Sequence, residues 1–151
     1  MLVWPCDIIV AAEDVAFLDN TVSMGVGGAE FFAHPWELGP RKAKEMLFTG
    51  SKITAQEAKE MGMVNRVVSD AELSDAALAL AQQIAKAPRF GLHLIKRSIN
   101  RTLDSQGLRT ALSAHFDTHQ LSHLSEGFLT ARDRGLANAI QKNPDANNKA
   151  A

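Results

Sequence analysis

The sequence predicts an α/β protein that is rich in strands at its front and helical behind. Two short β-branched stretches, at residues 6–12 and 15–18, are typical of buried strands. Behind residue 69, apolar residues recur at spacings of three, four and seven, which is the periodicity of helices. With 151 residues, the chain is one domain or part of one. We expect a core over residues 1–68, a helical region over 69–136 and a polar tail over 137–151.

The front also carries local helix signals. Pro40 is typical of the first turn of a helix, and Gly50 is placed to close that helix. Thr54 and Glu57 have the spacing of a capping box. The further elements expected here are a weak helix over 30–38, a short helix over 55–61 and a strand over 64–68.

Three helices are expected in the rear. Pro88 opens the second of them and Gly107 ends it. We expect the third to be one long helix from Leu108 to Phe128. The apolar stripes that predict the three helices are Leu73, Ala77, Leu80 and Ile84, then Leu92, Ile95, Ile99 and Leu103, then Leu108, Leu112, Phe116, Leu121, Leu124 and Phe128. Such stripes are expected to pack in a core or a subunit interface.

Charge and cysteine content exclude several classes of function. The 16 basic and 17 acidic residues nearly balance, which disfavours nucleic acid or an anionic membrane as a partner. Cys6 is the only cysteine, which excludes an internal disulfide and disfavours a cysteine-based zinc site. We expect Cys6 to lie in a buried strand as a small hydrophobe. No apolar stretch approaches the roughly 18 residues of a membrane span, and we expect a cytoplasmic protein.

The glycine segment, residues 25–28, is the first candidate for a ligand site. It lacks the lysine of a P-loop, and Glu30 stands where the dinucleotide fingerprint requires glycine. A nucleotide loop is therefore disfavoured, which leaves a substrate pocket or a plain turn. The triad of His115, His119 and His123 cannot share one metal, because its outer members are about 12 Å apart along a helix. We expect these histidines on a half-exposed face or at a subunit contact, and no metal site.

Three stretches together resemble the crotonase superfamily, the enoyl-CoA hydratase/isomerase family. They are CDIIVAAEDVAF at 6–17, GPRKAKEMLFTGSKITAQEAKEMGMVNRVV at 39–68 and IAKAPRFGLHLIKRSIN at 84–100. The resemblance implies a spiral of ββα turns followed by helices that make trimer contacts, with trimers often paired into hexamers. By this resemblance the chain is the C-terminal half of a subunit.

The resemblance also implies a mechanism. The family binds an acyl-CoA thioester, whose oxygen is held by two backbone N–H groups as an enolate-like charge develops, while carboxylates move protons. Both N–H donors are expected in segments that precede Met1. Thr21 stands where the family's second hydratase glutamate is expected, and a threonine hydroxyl is no general base near neutral pH.

Two carboxylates are candidates for the missing acid/base role. Some superfamily members use an aspartate one glycine turn later, which corresponds here to Glu30. Phe31 and Phe32 flank it, an apolar setting that favours the neutral carboxyl group. The alternative is a solvated acid at a helix N-terminus. Asp19 is the second candidate, with a turn residue as its alternative.

The remaining assignments concern binding and function. The expected substrate-binding residues are Thr21, Met24, Gly25, Gly27, Gly28, Phe31, Phe32 and Trp36, with His34 as a further pocket residue. For Phe31, Phe32, His34 and Trp36 a plain packing role is the alternative. By resemblance Arg134 and Arg132 meet the CoA phosphates, with an ordinary charged helix face as the alternative. No cofactor beyond the coenzyme A of the substrate is expected. We expect the full-length protein to be an enoyl-CoA hydratase/isomerase-type enzyme of fatty-acid or related acyl-CoA metabolism. The alternative is an inactive paralogue or fragment that binds acyl-CoA or only oligomerises, and the isolated 151-residue chain is expected to be inactive.

Overall fold

Four short strands form two separate two-stranded sheets in the computed structural model, which describes residues 3–136. Parallel pairing joins β1 to β4, with Val10 opposite Arg66 and Ala12 opposite Val68. Antiparallel pairing joins β2 to β3, with Phe17 opposite Ile53. The strands are β1 Val10–Ala12, β2 Ala16–Leu18, β3 Lys52–Thr54 and β4 Arg66–Val68.

The first strand is shorter than predicted, and the prediction of a buried Cys6 was wrong. The Cys6 N–H donates to the Val3 carbonyl at 2.9 Å, which closes a turn ahead of the strand. Pro5 within that turn has no N–H to give to a sheet. Cys6 is therefore exposed as a free thiol.

Within residues 3–136, six helices follow the glycine segment. Their bounds are α1 His34–Thr49, α2 Ala55–Glu60, α3 Leu73–Ala85, α4 Arg89–Ser105, α5 Leu108–Ser122 and α6 Glu126–Asp133, with single 3-10 turns at Thr21–Met24 and Asp70–Glu72. None of the helices within residues 3–136 is long and apolar enough to cross a membrane.

The capping and breaking signals of the front half are confirmed. The Glu57 N–H donates to the Thr54 hydroxyl at 3.1 Å, and the Thr54 N–H donates to the Glu57 carboxylate at 2.8 Å. Gly39 interrupts α1 with φ 71° and ψ 158°, so that Pro40 opens its second part. Because Pro40 lacks an N–H, it suits a first turn, where that group would have no helical partner.

The prediction of one long last helix was wrong. The helix is interrupted between α5 and α6. There the N–H groups of Leu124 and Ser125 donate to carbonyls three residues earlier in the chain. Ser125 then caps α6, its hydroxyl accepting from the Phe128 N–H at 3.1 Å. The apolar spacing continues across the break, which is why periodicity alone did not reveal it.

The hydrophobic core belongs to the front of the chain. Met46, Ile53, Ala55 and Ala58 are fully buried. The rest of the cluster consists of Trp4, Ala11, Ala33, Leu38, Met63 and Val64. By contrast α3, α4 and α6 contain no buried residue, and α5 contains only His119. The helices behind residue 69 therefore add little to this core.

Candidate active site

Asp19 bonds to both ends of the loop, residues 21–29, that contains the glycine segment. The carboxylate lies just after β2 and its side chain is 2% exposed. One oxygen accepts the Thr21 N–H at 3.0 Å, and the other accepts the Ala29 N–H at 3.1 Å. The sequence reading expected a turn residue or a second-choice acid here. A buried carboxylate that accepts two backbone N–H groups instead fixes the path of the loop between them.

His34 faces the same carboxylate from the first turn of α1. Its Nε2 lies 3.0 Å from Oδ2 of Asp19, and the side chain is fully buried. The rings of Trp4 and Phe32 pack on the imidazole with centroids at 4.5 and 4.7 Å. His34 thus supports Asp19, which fits the packing role and not the acyl-pocket role among the two that the sequence predicts.

The charge state of Asp19 follows from these contacts. Burial by itself acts to raise the pKa of Asp19, but the His34 contact and the bonds from Thr21 and Ala29 outweigh it. They lower the pKa of Asp19 from 3.8 to about 2. The carboxylate is therefore ionised at neutral pH and is a weak proton acceptor.

Two histidines of α5 contact backbone carbonyl groups at the end of the glycine segment. Nδ1 of His119 lies 2.7 Å from the Gly28 carbonyl oxygen, and Nε2 of His115 lies 3.1 Å from that of Ala29. A carbonyl oxygen only accepts, so each of these ring nitrogens carries the hydrogen. Burial lowers the pKa of His115, although the bond to Ala29 opposes this.

The expected half-exposed polar face of α5 was therefore wrong for His119, which is 4% exposed. The four-residue spacing correctly put the histidines on one face, but it could not reveal that this face turns inward to backbone carbonyls. Over residues 3–136 no group of three potential ligands could hold a metal ion.

Serines complete the contact between the helices and the segment. The Gly27 N–H donates to the Ser122 hydroxyl at 3.1 Å, and the Ser125 hydroxyl donates to the Gly25 carbonyl at 3.3 Å. Residues 25–29 are thus bonded to α5 and to the start of α6 at four points. None of these partners could be found from the sequence, because each lies more than 80 positions away along the chain.

Two glycines are required by this close approach. A Cβ on Gly25 would lie 2.5 Å from the Phe128 nitrogen, and one on Gly28 would lie 2.8 Å from the Phe32 ring. Both residues also have positive φ, 71° and 96°, which side chains rarely adopt. Gly25 thus allows the close approach of α6, and Gly28 leaves room for the Phe32 ring.

Glu30 projects from the end of the segment. Its side chain is 70% exposed, and Oε1 lies 3.6 Å from Nε2 of His119. The expectation that its apolar neighbours enclose it was wrong, because Phe32 turns inward and stacks on His115 at 3.9 Å. Glu30 is consequently a solvent-accessible carboxylate on a loop whose backbone is bonded on both sides.

An aromatic cleft lies beside the start of α1. It has a volume of about 380 Å³, and Phe31, Trp36 and Trp4 contribute to its wall. Glu37 also lines it, and burial raises the pKa of this carboxyl group. The sequence reading did not single out Glu37, because nothing in its local pattern separates it from an ordinary first-turn acid.

The remaining residues that were expected to bind substrate or CoA lie in two different parts of the structure. Thr21 and Met24 bound the 3-10 turn and are half-buried. Arg132 pairs with its neighbour Asp133 at 2.8 Å, and Arg134 is the C-cap of α6. The structure brings Asp19, the glycines and Glu30 into one site, while the two arginines lie at the far end of α6.

Comparison with known proteins places these features in a family. A family model described as enoyl-CoA hydratase/isomerase matches residues 1–130. A putative enoyl-CoA hydratase from Mycobacterium tuberculosis is 47% identical over 131 residues, which cover 86% of this chain and 41% of that protein. A 1,2-epoxyphenylacetyl-CoA isomerase from Escherichia coli is 36% identical over 108 residues, which cover 66% of this chain and 40% of the isomerase.

Solved structures agree with this placement. The crystal structure of a probable enoyl-CoA hydratase from Mycobacterium thermoresistibile has 48% sequence identity and a TM-score of 0.78. The match covers 91% of this chain and 53% of that structure. The chain therefore spans about half the length of the relatives it matches, and its ββα part and helices are a partial crotonase fold. On this sequence and structural similarity, the chain belongs to the enoyl-CoA hydratase/isomerase family.

Proposed function

We propose that the whole protein acts on an acyl-CoA thioester by stabilising an enolate-like state. Support comes from the family match and from relatives whose names specify CoA thioester chemistry. In this proposal two backbone N–H groups bind the thioester oxygen, each contributing about 3–4 kcal/mol to the transition state. A carboxylate moves the proton at the carbon next to the carbonyl group.

Glu30 is the carboxylate we assign to this proton transfer. The observation that carries the choice is the contrast between the two candidate acids. Asp19 is buried, bonded by Thr21 and Ala29 and ionised with a pKa of about 2, so it is a poor base and out of reach of a substrate. Glu30 is 70% exposed on a segment held at four points, so a substrate can reach it. Thr21 has no basicity for the role.

Substrate binding is assigned to the surroundings of Glu30. Phe31 and Trp36 line the aromatic cleft and are suited to the acyl group. Thr21, Met24, Gly25, Gly27, Gly28 and Phe32 are assigned to substrate binding on the family resemblance alone. Arg132 and Arg134 are assigned to the CoA phosphates, as charged side chains that bind phosphate oxygens. Coenzyme A enters as part of the substrate, and the reaction needs no further cofactor.

The helical region, residues 69–136, is assigned to assembly. It leaves large apolar side chains exposed, including Phe90 at 75% and Leu124 at 75%. Surfaces of this kind are buried in oligomers, and a homotrimer or a hexamer is proposed. The front, residues 3–68, belongs to the catalytic core, and residues 137–151 lie outside the described part of the chain. The proposed setting is cytoplasmic acyl-CoA metabolism, such as that of fatty acids.

The test of this function is turnover by the full-length protein. Crotonyl-CoA is added and the absorbance of the enoyl thioester is followed, together with product analysis for isomerised or hydrolysed CoA species. Glu30→Gln is expected to lower kcat at least about 100-fold. Glu13→Gln, which alters an exposed turn acid, is the matched control and is expected to retain the wild-type rate.

Two results would count against the proposal in different ways. Equal turnover by wild type and Glu30→Gln would remove Glu30 from the mechanism while leaving acyl-CoA chemistry in place. A correctly assembled protein that binds acyl-CoA but converts none of it would favour the inactive paralogue.

A further inference from the structure

His119 stands out because it is buried against the segment that carries Glu30. Its side chain is 5% exposed, whereas that of Glu30 is 70% exposed. Nδ1 faces the Gly28 carbonyl at 2.7 Å, and Nε2 faces Oε1 of Glu30 at 3.6 Å. One ring therefore contacts both the backbone of the glycine segment and the proposed acid/base group.

The Gly28 contact decides the tautomer of this ring. Because a carbonyl oxygen accepts but never donates, Nδ1 must carry a hydrogen. In the neutral ring Nε2 then has no hydrogen and presents its lone pair to Glu30. His115 has the opposite tautomer, since its Nε2 donates to the Ala29 carbonyl, and its free nitrogen is Nδ1.

We propose that His119 is a positioning residue for Glu30, in which the Gly28 carbonyl fixes the Nδ1–H tautomer so that Nε2 and the Glu30 carboxylate share one exchangeable proton. The inference rests on the proposed function of Glu30. The proton is held either on the carboxyl group, with His119 neutral, or on Nε2, with Glu30 ionised. Passing it between them breaks an O–H bond and forms an N–H bond, with no oxidation or reduction.

The distance and the exposure of the two groups fit this exchange. At 3.6 Å the atoms are slightly beyond hydrogen-bond range. The buried imidazole is fixed by its bond to Gly28, but the exposed Glu30 side chain can rotate to close the gap. His119 would thus return Glu30 to one protonation state after each turnover.

The other titratable groups around the pair belong to three elements. His115 on α5 and His123 at the C-cap of α5 flank His119, with ring centroids at 6.0 and 4.7 Å. Asp19 at the end of β2 and His34 at the start of α1 act electrostatically on His115. Asp19 is already satisfied by its own bonds, so it does not compete for the shared proton.

The first test measures the tautomer and needs no activity. Nitrogen NMR of the full-length protein, labelled only in histidine and sedimented for magic-angle spinning, reports which ring nitrogen carries hydrogen. Single His→Gln variants assign the signals. We expect Nδ1 of His119 to carry a hydrogen, and the Nε2 chemical shift of His119 to change in Glu30→Gln. An Nε2–H tautomer, or an Nε2 shift that Glu30→Gln leaves unchanged, would overturn the proposal.

The second test separates the proton role from the structural one. In His119→Asn the amide N–H can still donate to the Gly28 carbonyl, but the ionisable Nε2 is gone. We expect kcat to fall about tenfold or more and one ionisation to disappear from its pH profile. His115→Gln, which keeps the donor to Ala29, is the matched control and should keep the shape of the profile.

A double-mutant cycle shows whether His119 acts through Glu30. We expect His119→Asn to have no further effect on residual turnover in the Glu30→Gln background. An equal loss in both backgrounds would mean a merely structural role and would overturn the proposal. If Glu30→Gln leaves turnover unchanged, the proposed function of Glu30 fails, while the NMR result still decides whether the pair shares a proton.

Discussion

The front of this molecule, residues 3–68, and its rear, residues 69–136, differ in how fully they bury their side chains. In the front, helices and strands converge on a shared interior in which Met46 and Ile53 are fully buried. In the rear, α3, α4 and α6 bury no residue at all, and Ile95 remains 60% exposed. The amphipathic stripes of the rear therefore have no interior of their own. The difference teaches that the same apolar periodicity marks a core in one region and a surface for assembly in the other.

The glycine segment lies where the two regions meet. Asp19 secures it from the front, and His115, His119 and two serines secure it from the rear. Glu30 consequently depends on both regions for its position. Substitutions in the front, in the rear and at their contact can measure how much each region contributes to stability and assembly.

The largest effect is expected from truncation in the front core. Ile53→Ala removes a fully buried side chain and is expected to lower the free energy of unfolding by about 2–5 kcal/mol. Ile53→Val, which removes one methyl group, is the matched control with an expected loss of about 0.5–1.5 kcal/mol. Chemical denaturation of the full chain measures both. A loss below that of the valine control would contradict a self-contained front core.

The next effect is expected where the two regions touch. Gly25→Ala adds a Cβ that would lie 2.5 Å from the backbone of α6, at a residue whose φ is 71°. We expect a cost of about 2–4 kcal/mol, of which backbone strain alone accounts for about 1–2 kcal/mol. Gly62→Ala isolates the strain, because Gly62 has φ 84° and nothing within 4 Å of a Cβ. Equal losses of stability in the two variants would show that α6 does not press on the segment.

A smaller and pH-dependent effect is expected at Asp19. Because its pKa is lowered on folding, its contribution to stability is present above pH 3.8 and is lost as the pH falls through about 2. The shift corresponds to up to about 2 kcal/mol. Asp19→Asn is expected to cost that much at pH 7 and to lose its effect toward pH 2. Asp14→Asn, at an exposed turn, should show no such dependence, and a cost for Asp19→Asn that persists unchanged at low pH would count against the account.

The smallest effect on folding is expected in the rear. Leu121 and Leu124 are 67% and 75% exposed, so replacing both by Gln should change the stability of one chain by less than about 0.5 kcal/mol per site. The same double substitution is expected to reduce the number of subunits in the assembly, as measured by light scattering. Gln82→Glu, on the exposed part of α3, tests whether any surface change does so. An unchanged assembly state in the double variant would remove these leucines from the interface.

Local signals were predictable from the sequence, and contacts over long distances were not. The Thr54–Glu57 box and the Gly39–Pro40 break depend on neighbouring residues, so their pattern is sufficient to predict them. Crotonase membership was recognisable from three stretches that keep their order. The helix break before Ser125 was missed, because the apolar spacing runs through it.

At the candidate active site, too, the contacts between distant residues were not predictable from the sequence. Glu30 and Asp19 were candidates from their positions, but their opposite burial depends on partners elsewhere in the chain. His34 reaches Asp19 across the glycine segment, and His119 reaches Gly28 from α5. No local pattern encodes which face of a helix meets a distant loop. For that reason the sequence ranked Glu30 ahead of Asp19 on an apolar environment that Glu30 does not have, since its side chain is 70% exposed.

Proton exchange at the carbon next to the thioester tests the central assignment of Glu30 most directly, whatever the overall reaction. The full-length protein is incubated with butyryl-CoA in D₂O, and deuterium at that carbon is measured by mass spectrometry. We predict that wild type incorporates deuterium and that Glu30→Gln does so at least about 100-fold more slowly. Equal incorporation by the two proteins, or none by wild type, would contradict the assignment of Glu30 as the group that moves this proton.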